Sequence, residues 1–319
     1  MIEFDLIKDY FQKLSKKLPS SLDLNDDVFF DKKNKLVVSV DTYIDGIHFT
    51  NFKNPDLVIK KIIRSSISDL ICKGVKPKYY FISGSGNKKT FSKLNLSRIK
   101  KSLNEEQNKY KIFLGGGDTV YSNKLSFTIT SIGFAREIVY RNKAKTNDDI
   151  YISGNLGDSY IGLLVLKKKI KLNNLLSKYF INQYFMPNIQ LKLTDQIKKF
   201  ANTSIDVSDG LLADLDKMIN TQKLSYKIDL KKIPISNNLK KVLDIKKLSK
   251  INYISNGDDY QVLFTASLNK RRVIKRISSR SRIKLTKIGS IQSITKKSHL
   301  IDDKNKIISV KNKGFFHQF

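Results

Sequence analysis

The residues of this chain best placed to do chemistry are aspartates at the ends of apolar runs. The sequence carries 29 acidic residues against 60 Lys and Arg. The acids that stand beside apolar stretches are nearly all Asp: Asp26–Asp27, Asp41, Asp69, Asp118, Asp206 with Asp209, and Asp258–Asp259. With three His and one Cys, no soft-metal ligand set accompanies them. Short, hard oxygen donors of this kind suit Mg²⁺, and four or five of them together read as a phosphate site holding several Mg²⁺ ions. In GGGD (115–118), glycine N–H groups could nest an anion while Asp118 holds a bridging cation; a tight turn closed by an Asx hydrogen bond reads the same letters differently. The segment is neither a Walker A loop nor a dinucleotide fingerprint, because the Lys-Ser/Thr pair and the glycine spacing are lacking. SIDVSDG (204–210) sets two Asp three apart where a strand meets a helix. Ser208 or Asp209 could simply cap that helix. Asp206, however, lies on the apolar strand, where an unpaired carboxylate is costly and a metal would remove the cost. Asp69, beside Leu70–Ile71, faces either solvent or such a site.

The elements that must position these residues follow from periodicity. Ile7, Tyr10–Phe11, Leu14 and Leu18 recur at helical spacing across residues 2–18. KLVVSVDTYI (35–44) reads as a buried strand ending near Asp41. A helix starts at Asn54-Pro55-Asp56, carries an apolar stripe from Leu57 to Ile71 and stops at Gly74. Strands are expected at 79–86, at 111–119 running into a glycine turn, and at 125–135, with a neighbour beginning near Arg141; a helix is expected at 96–110. A polar stretch at 142–148 marks a boundary, dividing the chain into 1–142 and 143–319. Beyond it come a strand and glycine turn at 147–159, a helix at 160–168, and a helical stretch over 174–200 broken at Pro187. A strand-turn-helix (204–219), a strand at 227–235, a loop and strand at 252–266, and two edge strands at 283–294 and 299–310 complete the chain. The class is mixed α/β.

Composition excludes several classes. Five Pro and 15 Gly rule out a collagen-like or Pro/Gly-rich chain, and a single cysteine, Cys72, rules out a disulfide scaffold or zinc ribbon. No apolar run approaches the ~18 residues of a membrane span, and the acidic, amphipathic start is not a signal peptide. A cytoplasmic protein is expected. The formal charge of +31 invites a nucleic-acid reading. Its 51 Lys against nine Arg fit a solvated lysine-rich surface better, since phosphate forks and base edges draw on Arg. No specific nucleic acid and no membrane partner is expected.

The order of motifs resembles the thiamine-monophosphate kinases, members of the superfamily that includes aminoimidazole-ribonucleotide synthetase. The resembling segments are DLNDDVFF, VSVDTYIDGIHF, SISDLICKGVKP, FLGGGDT, YRNKAKTNDDIYISGNLGDS, SIDVSDGLLADL, SNGDDYQVLF and KGFFHQF. They span nearly the whole chain in the family's order. The resemblance implies transfer of the γ-phosphoryl of ATP to thiamine monophosphate with several Mg²⁺, two α/β domains, and a homodimer whose N-terminal sheets pair into a barrel with ATP near the interface. Carried over by motif, Asp27, Ser39, Asp41, Asp69, Asp118, Asp206 and Asp209 resemble the metal shell. Gly117, Asp118, Arg141 and Ser208 resemble the ATP contacts, and His48, Asp258 and Phe315 the thiamine-phosphate side. Asp118, Arg141 and Asp209 are the implied catalytic residues. Taken alone, His48 reads as a hydrogen-bonded loop histidine and Phe315 as packing.

The sequence departs from the family pattern at Asn25 and Val40, where Gly and Thr are usual, and at Asn256, Asp258 and Gln261, where Gly, Glu and Glu are usual. The Asp258 change shortens the reach by one methylene, ~1.5 Å. The implied chemistry needs no general base. A phosphate oxygen with a second pKa near 6 is already ionised at neutral pH, so transfer is direct, without a phosphoenzyme. Other readings are a synthetase of the same superfamily with a different acceptor, or a basic nucleic-acid-binding protein. A selenophosphate synthetase would need a reactive Cys within residues 1–30, and a hydrogenase-maturation relative a Cys-bearing tail; neither is present.

Overall fold

The computed structural model describes residues 3–302, 304–310 and 313–315. The rest of the KGFFHQF segment after Phe315 lies outside the described residues. Two sheets organise a mixed α/β fold. The first contains β1 (Phe29–Asp31), β2 (Leu36–Ile44), β3 (Pro77–Gly86), β4 (Phe113–Tyr121) and β5 (Ser126–Phe134) in the order β1-β2-β5-β3-β4. All its pairings are antiparallel except β3 with β4. The second contains β6 (Asp149–Ser153), β7 (Thr203–Asp206), β8 (Leu224–Asp229), β9 (Val262–Ala266), β10 (Leu285–Ser293), β11 (His299–Ile301) and β12 (Ile307–Ile308) in the order β12-β11-β8-β10-β6-β9-β7.

The helix Pro55–Cys72 lies between the sheets and packs on β2 and β5 from one side and on β7 and β9 from the other. Pro55 pre-sets the φ of its first turn. A helix with a partner on each side must be buried nearly all round. Accordingly Ile59, Ile62, Ile67 and Leu70 are buried, and so are Lys61, Arg64, Ser65, Ser66 and Ser68 on the flanks. One apolar cluster runs from Ile129 of β5 through Ile62 and Ile63 to Phe264 of β9. The helix Lys93–Tyr110 covers its neighbour through a buried fork. Arg64 Nε and Nη2 donate to the two Glu106 carboxylate oxygens, each at 2.8 Å. Because Glu106 is 2% exposed, Arg64→Met strands a buried charge and should cost about 3–5 kcal/mol. The urea midpoint will report it, and Arg64→Met with Glu106→Met together should recover most of the loss.

Alternation along β2 leaves the first sheet with unlike faces. Val37, Ser39 and Tyr43 turn toward the helices, whereas Val40 is 61% exposed. Phe81 and Phe134 are exposed too, and β4 is exposed along its whole length.

Four expectations need correction. The 111–119 strand does not turn at its glycines: β4 runs on to Tyr121, paired with β3, and absorbs Gly115 as a register shift between Leu114 and Gly116. Among the described residues no strand begins near Arg141; residues 135–148 form an irregular connection. The strand expected over 227–235 stops at Asp229, whose side chain accepts from Lys231 N and turns the chain. The 283–294 strand is not an edge, since β10 pairs on both sides with β6 and β8. Among the described residues no helix is long and apolar enough to cross a membrane.

Candidate phosphoryl-transfer site

Where the Pro55–Cys72 helix, β2, β7 and the turn before β1 converge, carboxylates gather. Single oxygens of Asp27, Asp69 and Asp206 lie within 4.8 Å of one another. Asp206 reaches the spot because β7 ends there, and it accepts from Ser68 Oγ at 2.5 Å. Ser39 of β2 donates its hydroxyl to Asp69. Asp41, two residues further along β2 and on the same face, feels the charges of Asp206 and Asp69. Burial, followed by Asp206, pushes the Asp41 carboxyl up to about 7. Burial, then Asp41 and Asp206, holds Asp69 well above the carboxylate range. Asp206 is raised chiefly by burial, against the pull of Ser68, Lys73 and Arg141.

Three cationic groups partly balance this charge. Lys73, fully buried, sits 2.7 Å from Asp26 Oδ1 and from Asp27 Oδ2 and donates to Ser204 O. The Arg141 guanidinium pairs with Asp27, and its backbone N–H donates to Asp26 Oδ2 at 2.9 Å. Asp209 pairs with Lys217. Even so, single oxygens of three carboxylates converge here, and such a group of hard donors fits a divalent cation of the Mg²⁺ type.

The sign of the pH dependence follows. Asp41 titrates near 3.8 when unfolded and near 7 when folded, so the native state holds the extra proton between those values. The penalty is absent below about pH 4 and grows as pH rises toward 7. Melting in EDTA should therefore fall from about pH 4 to about pH 7 and level off above it, and Asp41→Asn should flatten the slope. A divalent cation held beside Asp41 would compete with that proton, so it should bind more tightly at pH 8 than at pH 6, as titration calorimetry will register.

The remaining candidates divide. Two turns before Ser68 on the same helical face, Lys61 pairs with Asp258 at 2.5 Å. His48 Nδ1 accepts from Ile44 N at 3.0 Å, which leaves the ring proton on Nε2, and Tyr184 Oη donates to the His48 carbonyl at 3.2 Å. The carbonyl of Ser208 accepts from Asp258 N at 2.8 Å, and that of Asp209 accepts from Phe315 N at 3.0 Å. The 204–210 turn thereby ties the acidic cluster to Asp258 and Phe315. Gly117 and Asp118 stand elsewhere. Asp118 lies opposite Ser83, Ser83 opposite Thr128, and Thr128 opposite Thr42. That row is one residue off the row of Asp41, so Asp118 projects from the exposed face. It is three strand spacings from β2, about 14 Å. A single chain does not bring it to the other aspartates.

Sequence reasoning missed Lys61, Lys73 and Tyr184. A lysine beside an apolar stripe reads as solvated, and nothing local names a partner far along the chain. Of the departures, Gln261 is buried and bonds Ser153 Oγ, Gln190 Nε2 and Asn188 O, so that change bears on packing. Asn25 exchanges amide bonds with Asn220, and Asn256 donates to Asn252 O.

The two sheets form a mixed α/β fold of the AIR synthase related type. The family model described as AIR synthase related protein, N-terminal domain, matches residues 25–135. Within that class the chain is 33% identical over 323 residues to the thiamine-monophosphate kinase of Buchnera aphidicola subsp. Acyrthosiphon pisum, covering 99% of this chain and 98% of the relative. It also superposes on AaThiL complexed with AMPPCP and TMP, with a TM-score of 0.84 and 27% identity over 99% of this chain and 97% of that one. Thiamine monophosphate kinase from Aquifex aeolicus superposes with a TM-score of 0.79 and 26% identity, over 96% and 97%. The chain belongs to the thiamine-monophosphate kinase family.

Proposed function

We propose that this chain transfers the γ-phosphoryl of ATP to the phosphate of thiamine monophosphate, forming thiamine diphosphate. The observation that carries the reading is the triad Asp27, Asp69 and Asp206, two of them half-buried and Asp206 buried, set at the junction of the two sheets in a member of this family. Asp27, Ser39, Asp41, Asp69, Asp206 and Asp209 are read as the Mg²⁺ shell, which Asp118 completes. Bound Mg²⁺ would offset the repulsion between two phosphate groups and favour in-line geometry. Arg141 adds fixed positive charge, and Gly117, Asp118 and Ser208 contact the nucleotide. His48, Asp258 and Phe315 receive the thiamine phosphate. No side chain need remove a proton, because the attacking phosphate oxygen is already ionised near neutral pH.

The proposal includes a homodimer formed through the open face of the first sheet. An unpaired edge strand with exposed Phe113, Leu114, Val120 and Tyr121 is a surface that proteins otherwise protect, and barrel closure would cover it. Asp118 lies on the same face, so its role depends on that pairing. Residues 1–142 and 143–319 are read as the two domains, in a cytoplasmic protein whose single thiol, Cys72, is buried. The test is incubation of thiamine monophosphate with Mg-ATP. Thiamine diphosphate should form with wild type and not with Asp118→Ala, and no labelled phosphoprotein should appear on chase. Turnover of a ribonucleotide in its place would leave the family assignment standing and overturn the substrate.

A further inference from the structure

We infer that Lys61 is a positioning residue that aims the Asp258 carboxylate at the substrate. The inference rests on the reading above, in which thiamine monophosphate lies beside His48 and Asp258. Lys61 sits within the Pro55–Cys72 helix and is 1% exposed. Taking an ammonium out of water is costly, and a hydrophobic residue of similar volume would be tolerated there at least as well on packing grounds. Its surroundings are specific. Nζ lies 2.5 Å from Asp258 Oδ1, 4.0 Å from the centre of the Tyr184 ring and 5.6 Å from that of Tyr260. Tyr260 Oη donates to the same Oδ1 at 3.0 Å. Both bonds therefore fall on one oxygen, and no hydrogen bond from the described residues reaches Oδ2. The Asp258 side chain remains 24% exposed.

The backbone of Asp258 is held as firmly. It lies in the left-handed region at φ 61°, with its N–H on the Ser208 carbonyl. Gly257 before it has no room for a side chain, since a Cβ would stand 2.0 Å from that same carbonyl oxygen. A carboxylate fixed through one oxygen presents the other in a single direction, a suitable partner for the cationic thiazolium ring. Lys61 also contacts Tyr184, whose hydroxyl bonds the His48 carbonyl. One buried ammonium thus links both candidate substrate contacts. Asp258 is a methylene shorter than the Glu usual in the family, so the direction of its free oxygen matters more. Without the ammonium, Oδ1 would turn toward water and draw Oδ2 off the substrate.

The test compares wild type, Lys61→Met and Lys61→Arg. Lys61→Met should raise KM for thiamine monophosphate, and the dissociation constant read by calorimetry without ATP, about tenfold. KM for ATP should stay within about twofold, and Lys61→Arg should restore most of the affinity. Equal changes in both KM values, tighter thiamine-phosphate binding, or unchanged binding by a folded Lys61→Met protein would overturn the inference. If Lys61→Met does not fold, Lys61→Gln must give the same split; failure of both to fold would make Lys61 a structural residue and also overturn it. A wild-type protein that leaves thiamine monophosphate untouched refutes the proposed function. A wild type that turns over beside a Lys61→Met enzyme with unchanged KM refutes only the role of Lys61.

Discussion

Asp69→Asn should lower kcat by about a hundredfold or more, the upper end of the loss seen when merely the outer partners of a metal site are removed, and should at the same time raise the melting temperature in EDTA. The two effects share a cause. Asp69 contributes an oxygen to a group that includes Asp27 and Asp206, and its carboxyl is pushed well up by burial and by Asp41 and Asp206. Like charges at this range, in a poorly solvated site, destabilise the fold unless a cation or proton intervenes. Asparagine keeps the oxygen that accepts from Ser39 and removes the charge, so the protein loses repulsion and keeps its hydrogen bond. Divalent cation should stabilise wild type and leave the variant nearly unmoved, a contrast that thermal melts with and without Mg²⁺ will resolve. Activity within threefold of wild type, or a clear drop in melting temperature in EDTA, would remove Asp69 from the centre of the site.

The aspartates are legible in the sequence because a short acid beside a β-branched run has few stable places to go. Asp206 at the end of an apolar strand signals a buried polar site through its immediate neighbours, whereas Asp69 beside Leu70–Ile71 fits solvent or such a site equally and is settled by contacts distant in sequence. The glycines before Asp118 mislead for a physical reason: local freedom suggests a turn, whereas pairing with β3 across eight positions keeps the segment extended. β10 looks like an edge because chain order does not disclose sheet order; its place between β6 and β8 is a long-range fact. Lys61 and Lys73 are invisible for the same reason, since their partners Asp258 and Asp26 lie far away in sequence. Val40, where the resemblance leads one to expect Thr, points its side chain away from the acidic cluster and into the exposed face of the sheet.

That exposed face supports the second large effect. Val40→Glu with Val120→Glu should give a monomer that loses most of its thiamine diphosphate formation, with little change in melting temperature. Both side chains are more than half exposed within one chain, Val40 at 61% and Val120 at 52%, so the substitutions break no packing that a single chain makes. Their cost falls on whatever covers the face, where two buried unpaired carboxylates would oppose association. On the proposed reading activity should go with the dimer, because Asp118 stands on this same face, about 14 Å from β2 by strand spacing, and a second copy would be needed to bring it to the other aspartates. Sedimentation velocity and the coupled assay are sufficient to decide it. A dimer with full activity would place the interface elsewhere. A monomer with full activity would mean that one chain holds the complete site and that Asp118 takes no part, in which case Asp118→Ala should also be silent; the two variants must therefore succeed or fail together.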